Sequence, residues 1–192
     1  MKTLNFSTIR LILFAIIISL FSYVFASIYF IVTNSDTNQF IPYGQAQLDF
    51  ENNVFDSIGF EISGDAGWSL NCDDSYTGYC SIKSDSISDN QNSTINISVS
   101  LIDGGYLSFF YKVESEYSTS GNEFYDGLKF FINGVLEEQF QPDTDGTSEW
   151  NQFTKYLDSG IYDLSWSYIK DNSDGSTSSE YDCAWIDDIT IP

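Results

Sequence analysis

The chain has 192 residues, room for one membrane or targeting segment and one domain of roughly 150 residues. Its seven Lys and Arg stand against 28 Asp and Glu, and two of the seven, Lys2 and Arg10, precede the first acid, Asp36. So negative a field repels phosphate backbones and anionic headgroups, which excludes nucleic acid and a peripheral membrane surface as partners and favours cations, basic partners and solubility in salt.

Residues 1–10 carry only positive charge. Residues 11–32 form a run of 22 positions with no charged side chain. As a helix that run is about 33 Å long, matching the hydrocarbon core of a bilayer. Lys2 and Arg10 place its N-terminal side in the cytoplasm and the rest of the chain outside. Residues 11–20 equally fit the apolar core of a signal peptide, with Val24-Phe25-Ala26 as a small-residue cleavage site. Residues 1–32 are therefore expected to be a single-pass anchor with its N-terminus inside, or a signal peptide cleaved near Ala26. Both place the domain outside the cytoplasm. Residues 33–47, with Asn34-Ser35-Asp36 and Pro42-Tyr43-Gly44, read as a linker.

From Leu48 onward no window shows apolar spacing of three and four, and period-two alternation recurs. Ile95, Ile97, Val99 and Leu101 face one way while Thr94, Asn96, Ser98 and Ser100 face the other. Leu107, Phe109, Tyr111 and Val113 oppose Tyr106, Ser108, Phe110 and Lys112 in the same manner. Asn133-Gly134 between two apolar runs predicts a tight hairpin, because both central residues of that turn need positive φ. Tyr162, Leu164, Trp166 and Tyr168 alternate with Asp163, Ser165 and Ser167. About nine or ten closely spaced strands without helices predict a β-sandwich or barrel over residues 48–192. Phe109, Phe130, Trp166 and Tyr168 are its core candidates.

Cys72 and Cys80 bracket a short loop, and a local bridge between them leaves Cys183 as a small buried apolar group. Such a disulfide requires an oxidising compartment, which export supplies. With no His and no Cys-x-x-Cys spacing, zinc is unsupported.

Four stretches carry a resemblance: Leu48-Asp49-Phe50-Glu51, Ser63-Gly64-Asp65-Ala66-Gly67-Trp68, residues 160–171 around Leu164 and Trp166, and Asp182-Cys183-Ala184-Trp185-Ile186-Asp187-Asp188-Ile189. In order and spacing they resemble the jelly-roll modules of bacterial surface proteins called cleaved adhesin domains, and more distantly the MAM domains of animal cell-surface proteins. The resemblance spans about residues 48–192. It implies an all-β, two-sheet antiparallel jelly-roll sandwich with its first and last strands adjacent, here preceded by one N-terminal hydrophobic helix. It also implies extracellular adhesion or ligand binding, often with structural calcium.

Calcium takes six to eight oxygen ligands from carboxylates and carbonyls. Asp49 and Glu51 alternate with Leu48 and Phe50 and so share a face. If the first strand lies beside the last, as the resemblance implies, Asp187 or Asp188 can meet them. Strict alternation sets Asp187 with Trp185 and Asp188 with Ile186, and a bulge would change which of the two faces a metal. Asp49, Glu51, Asp187 and Asp188 are therefore the candidate Ca²⁺ ligands. Weaker cation candidates are residues 143–149, opening Asp143-Thr144-Asp145-Gly146, and residues 171–175, opening at Asp171. Both are also ordinary turn compositions.

A second candidate site is a surface of loop aromatics beside acids: Tyr76, Tyr79, Tyr117, Tyr125 and Asp126, with Phe124, Glu114 and Glu116 nearby. Aromatic faces pack on sugar rings and carboxylates accept hydroxyl hydrogen bonds. The same residues can equally close the ends of a sandwich. Catalysis is poorly served: without His no Ser-His-Asp or Cys-His arrangement exists, and Gly-x-Ser-x-Gly is absent. Asn92 and Asn96 head glycosylation sequons on the polar face of their strand. The expected function is non-catalytic adhesion or ligand recognition outside the cell. The partner is a cell-surface glycan or protein, and the alternative is a structural subunit that packs on copies of itself.

Overall fold

The period-two patterns become strands whose buried residues follow one another at every second position. The computed structural model describes residues 31–33, 40–42, 46–51, 55–118, 123–142, 148–172 and 182–192. The expected N-terminal helix, the cleavage site near Ala26 and the candidate cation loop headed by Asp143 and Asp145 lie outside the described residues. Among the described residues no helix is long and apolar enough to cross a membrane.

Within Ile31–Pro192, β1 (Ile31–Thr33) and β2 (Phe40–Pro42) pair antiparallel as a separate ribbon. Then come β3 (Ala46–Leu48), a single helical turn α1 (Phe55–Ile58), β4 (Glu61–Gly64), β5 (Trp68–Asn71) and β6 (Ser81–Ser84). The long strands follow: β7 (Asn92–Leu101), β8 (Gly105–Glu114), β9 (Gly127–Ile132), β10 (Val135–Phe140), β11 (Asn151–Leu157), β12 (Gly160–Ile169) and β13 (Cys183–Ile191). One sheet runs β10-β9-β12-β7-β4 and the other β11-β8-β13-β6-β5, with β3 also paired to β13. All these pairings are antiparallel. β4 to β6 have four residues each, too few for alternation to stand out in sequence.

The expected adjacency of first and last strands is present: Leu48 pairs with Ile189 and Ala46 with Ile191. The Asn133-Gly134 hairpin joins β9 to β10, with φ of 51° and 74° at its two central residues. Between the sheets lies an aromatic core. Phe109 of β8 sits 5.0 Å from Phe130 of β9 and 5.4 Å from Trp166 of β12, ring centre to ring centre, so one residue ties both sheets together. Phe109, Phe130, Trp166 and Tyr168 are all fully buried. Burying such rings supplies the largest single contributions to a core of this size.

Candidate functional site

The site is built on the outer face of β6, β8 and β13. Trp185 of β13 lies opposite Lys83 of β6 and Lys112 of β8. Their ammonium groups sit 5.0 and 4.9 Å from the centre of its indole, a double cation–π contact. The indole, 4 % exposed, floors a cleft of about 430 Å³ lined also by Asn71, Asp73, Asp74 and Glu114. Lys112 pairs with both Asp74 and Glu114 at 2.8 Å. Burial alone would lower the pKa of Lys112, but the two carboxylates outweigh it and hold the value above the ordinary one. The cleft therefore offers fixed charges of both signs over an apolar floor. Alternation in the sequence groups Trp185 with Asp187 and does not single it out as a site residue. The available signal was that Trp185 lies on the opposite side of β13 from Ile186, where strand pairing brings two lysines beside it.

One wall of the cleft is the loop closed by the Cys72–Cys80 disulfide, which forms as expected. Tyr76 stacks on Phe110 of β8 with ring centres 3.5 Å apart. Asp74 accepts a bond from the Trp150 indole N–H at 3.1 Å, and Ser81 donates its hydroxyl to the Asp74 carbonyl at 2.7 Å. The loop is thus folded down on the sheet.

Three of the four candidate metal ligands, Glu51, Asp187 and Asp188, grip this same loop. Glu51 Oε1 accepts the amides of Tyr79 at 2.7 Å and Cys80 at 2.9 Å. Asp187 Oδ2 accepts those of Tyr76 at 2.9 Å and Thr77 at 3.2 Å. Asp188 Oδ2 accepts the Thr77 hydroxyl at 2.7 Å, and Asp49 Oδ1 accepts the Glu51 amide at 3.3 Å. The register of β13 against β8 shifts between Asp187 and Thr190, and Asp188 has a φ of 46°. That bulge returns Ile189 to the core while Asp187 and Asp188 both serve the loop. Burial pushes Asp187 up to about 6, against the downward pull of the Thr77, Asp188 and Tyr76 amides. The donors are oxygens throughout, the right chemistry for Ca²⁺. Among the described residues, however, three carboxylates whose oxygens all lie within 4.8 Å of one another occur at Glu116, Asp126 and Asp171, not at this quartet.

The aromatic candidates divide. Tyr76 and Tyr79 ride on the disulfide loop, and Tyr79 is 80 % exposed. Tyr125 donates its hydroxyl to Glu123 at 2.6 Å. The Phe124 ring lies under Lys129 at 4.8 Å, and Tyr117 is half-buried. Asp126 is fully buried, turned inward with Glu116. Cys183 is buried as expected, and burial pushes its thiol up to about 12.

No protein-family model matches the sequence, and no curated protein does. Solved structures do. The K1 cleaved adhesin domain of Lys-gingipain from Porphyromonas gingivalis W83 superposes with a TM-score of 0.53 at 15 % identity, over 77 % of this chain and 97 % of that one. The K3 domain of the same protein gives 0.50 at 15 %, again over 77 % and 97 %. A structure reported for the promiscuous specificity of carbohydrate-binding modules of the β-sandwich superfamily gives 0.51 at 13 %, covering 75 % of this chain and 60 % of that one. At such identities the likeness is one of fold. The chain has the two-sheet jelly-roll fold of the bacterial cleaved adhesin domains.

Proposed function

We propose that the chain is an extracytoplasmic, non-catalytic recognition module that takes a cell-surface glycan or protein segment in the cleft over Trp185. The observation that carries this reading is the cleft itself, where a buried indole is ringed by Lys83, Lys112, Asp74 and Glu114 and walled by a loop that the closing strand holds in place. Fixed charges of both signs bind hydroxyl and amide groups of a ligand, and an apolar floor orients it. The neighbours described as adhesin and carbohydrate-binding modules support the assignment. A Cys72–Cys80 disulfide persists in an oxidising compartment, which supports export past the membrane by residues 11–32.

Calcium at Asp49, Glu51, Asp187 and Asp188 is part of the same proposal. These residues come from the two ends of the domain and offer only oxygen; Glu51, Asp187 and Asp188 hold the loop that walls the cleft, and Asp49 accepts the Glu51 amide. An ion there would add its charge to a cluster where burial already disfavours carboxylate ionisation.

Binding of the full-length chain, in non-ionic detergent, to a glycan array and to immobilised cell-surface proteins tests the reading. Wild-type protein is expected to bind a defined subset of ligands that Asp74→Ala fails to retain. Equal binding by both would refute the cleft as the site. Concentration-dependent polymers without any such ligand would favour the self-associating structural subunit instead.

A further inference from the structure

The end of the sandwich at which β8 and β12 finish and β9 begins holds a second group of acids. Glu116 follows β8, Asp126 precedes β9, and Asp171 follows β12. Gly127 and Ile169 are the last paired residues of β9 and β12, so Asp126 and Asp171 emerge side by side, and Asp126 Oδ1 accepts the Asp171 amide at 2.8 Å. Ser115 reaches across from the other sheet, its hydroxyl 3.3 Å from the Asp126 carbonyl. The cluster thus bridges the two sheets.

Carboxylate oxygens from Glu116, Asp126 and Asp171 all lie within 4.8 Å of one another. Two oxygens bound to the same calcium at 2.3–2.6 Å are at most about 5 Å apart, so the three already fit one coordination sphere. Glu116 is 6 % exposed and Asp126 0 %, and Glu116 Oε2 and Asp126 Oδ2 are buried without a hydrogen-bond partner. Buried carboxylate oxygens without donors are costly and point to an ion that completes them. The nearby ammonium, Lys170, pairs with Asp182 and stays 3.9 Å from Asp126 Oδ2. Among the described residues, that one ammonium is shared between Asp126 and Asp182.

We propose that Glu116, Asp126 and Asp171 bind a calcium ion that clamps the two sheets together at this end, separate from the one proposed at Asp49, Glu51, Asp187 and Asp188. Oxygen-only ligands in a buried setting suit calcium better than magnesium, which keeps several waters and demands a near-ideal octahedron.

Calorimetric titration of the chelator-treated full-length chain with calcium chloride, in non-ionic detergent, tests this. Asp126→Asn and Glu116→Gln are each expected to lose one binding event that Asp187→Ala keeps. In chelator, Asp126→Asn is expected to melt no lower than wild type, because its amide oxygen still accepts the Asp171 amide and a buried carboxylate oxygen without a hydrogen-bond donor is gone. In millimolar calcium it is expected to melt lower. That reversal separates an ion site from a merely structural acid. If both substitutions leave calcium uptake unchanged, or wild type takes up none, the proposal is overturned. A single ion lost in Asp187→Ala but kept in Asp126→Asn also overturns it and leaves the first calcium site standing. A single ion lost only in Asp126→Asn does the reverse.

Discussion

Asp187 Oδ2 accepts the backbone amide of Tyr76 at 2.9 Å, joining the closing strand to a loop 111 residues earlier in the chain. The same oxygen takes the Thr77 amide, and Oδ1 takes that of Asp188. One carboxylate therefore fixes both the bulge in the last strand and the wall of the cleft.

Asp187→Ala removes the acceptor of three amides in a buried setting. Stability is expected to fall by about 1–3 kcal/mol, the usual cost of leaving such groups unpaired. Denaturation with urea measures the fall. Amide exchange at Tyr76 and Thr77 is expected to speed up relative to that in the long strands.

Gly78 tests the other side of the loop. Its φ is 67°, and a Cβ there would run into the Glu51 carboxylate that holds the Tyr79 and Cys80 amides. Gly78→Ala is expected to cost about 1–2 kcal/mol from the left-handed backbone alone. Displacement of Glu51 adds to it, so the loss in urea should exceed that of Gly134→Ala, where a Cβ at φ 74° meets nothing.

The cysteines predict a definite alkylation pattern. Cys183 is buried with its thiol pushed up to about 12, so little thiolate forms at neutral pH and iodoacetamide is expected to leave the folded protein unmodified at pH 8. Mass spectrometry should show one adduct after denaturation and three after denaturation with reductant. Reducing the 72–80 bridge is expected to destabilise the domain by about 2–3 kcal/mol through loop entropy.

Calcium is expected to raise the melting temperature over that in chelator. A site saturated to about a hundred times its Kd stabilises the fold by about 2.7 kcal/mol. Differential scanning calorimetry reads the shift, and equal melting temperatures in calcium and chelator would count against both proposed ion sites.

Much of the fold could be read from residue order. Alternation in β7 and β8 placed Ile95, Ile97, Val99, Leu107 and Phe109 inward, where they are buried, and Asn133-Gly134 marked the hairpin. Those signals are local. The site is less local. Asp188 adopts positive φ without being glycine, so the bulge that turns both Asp187 and Asp188 toward the loop leaves no mark in composition. The cleft depends on the disulfide loop folding over the outer face of the six-stranded sheet, a tertiary choice made by Tyr76 on Phe110 and Asp74 on Lys112. Glu116, Asp126 and Asp171 come from three separate strand ends, and only strand pairing makes them neighbours.

The central claim is that the Trp185 cleft is the recognition surface. Calorimetric titration of a ligand selected on the array into wild-type and Lys83→Ala protein addresses it directly. Loss of a charged hydrogen-bonding group that contacts the ligand is expected to weaken Kd by roughly 10–100-fold, with the melting temperature nearly unchanged. An unaltered Kd in Lys83→Ala would contradict the account.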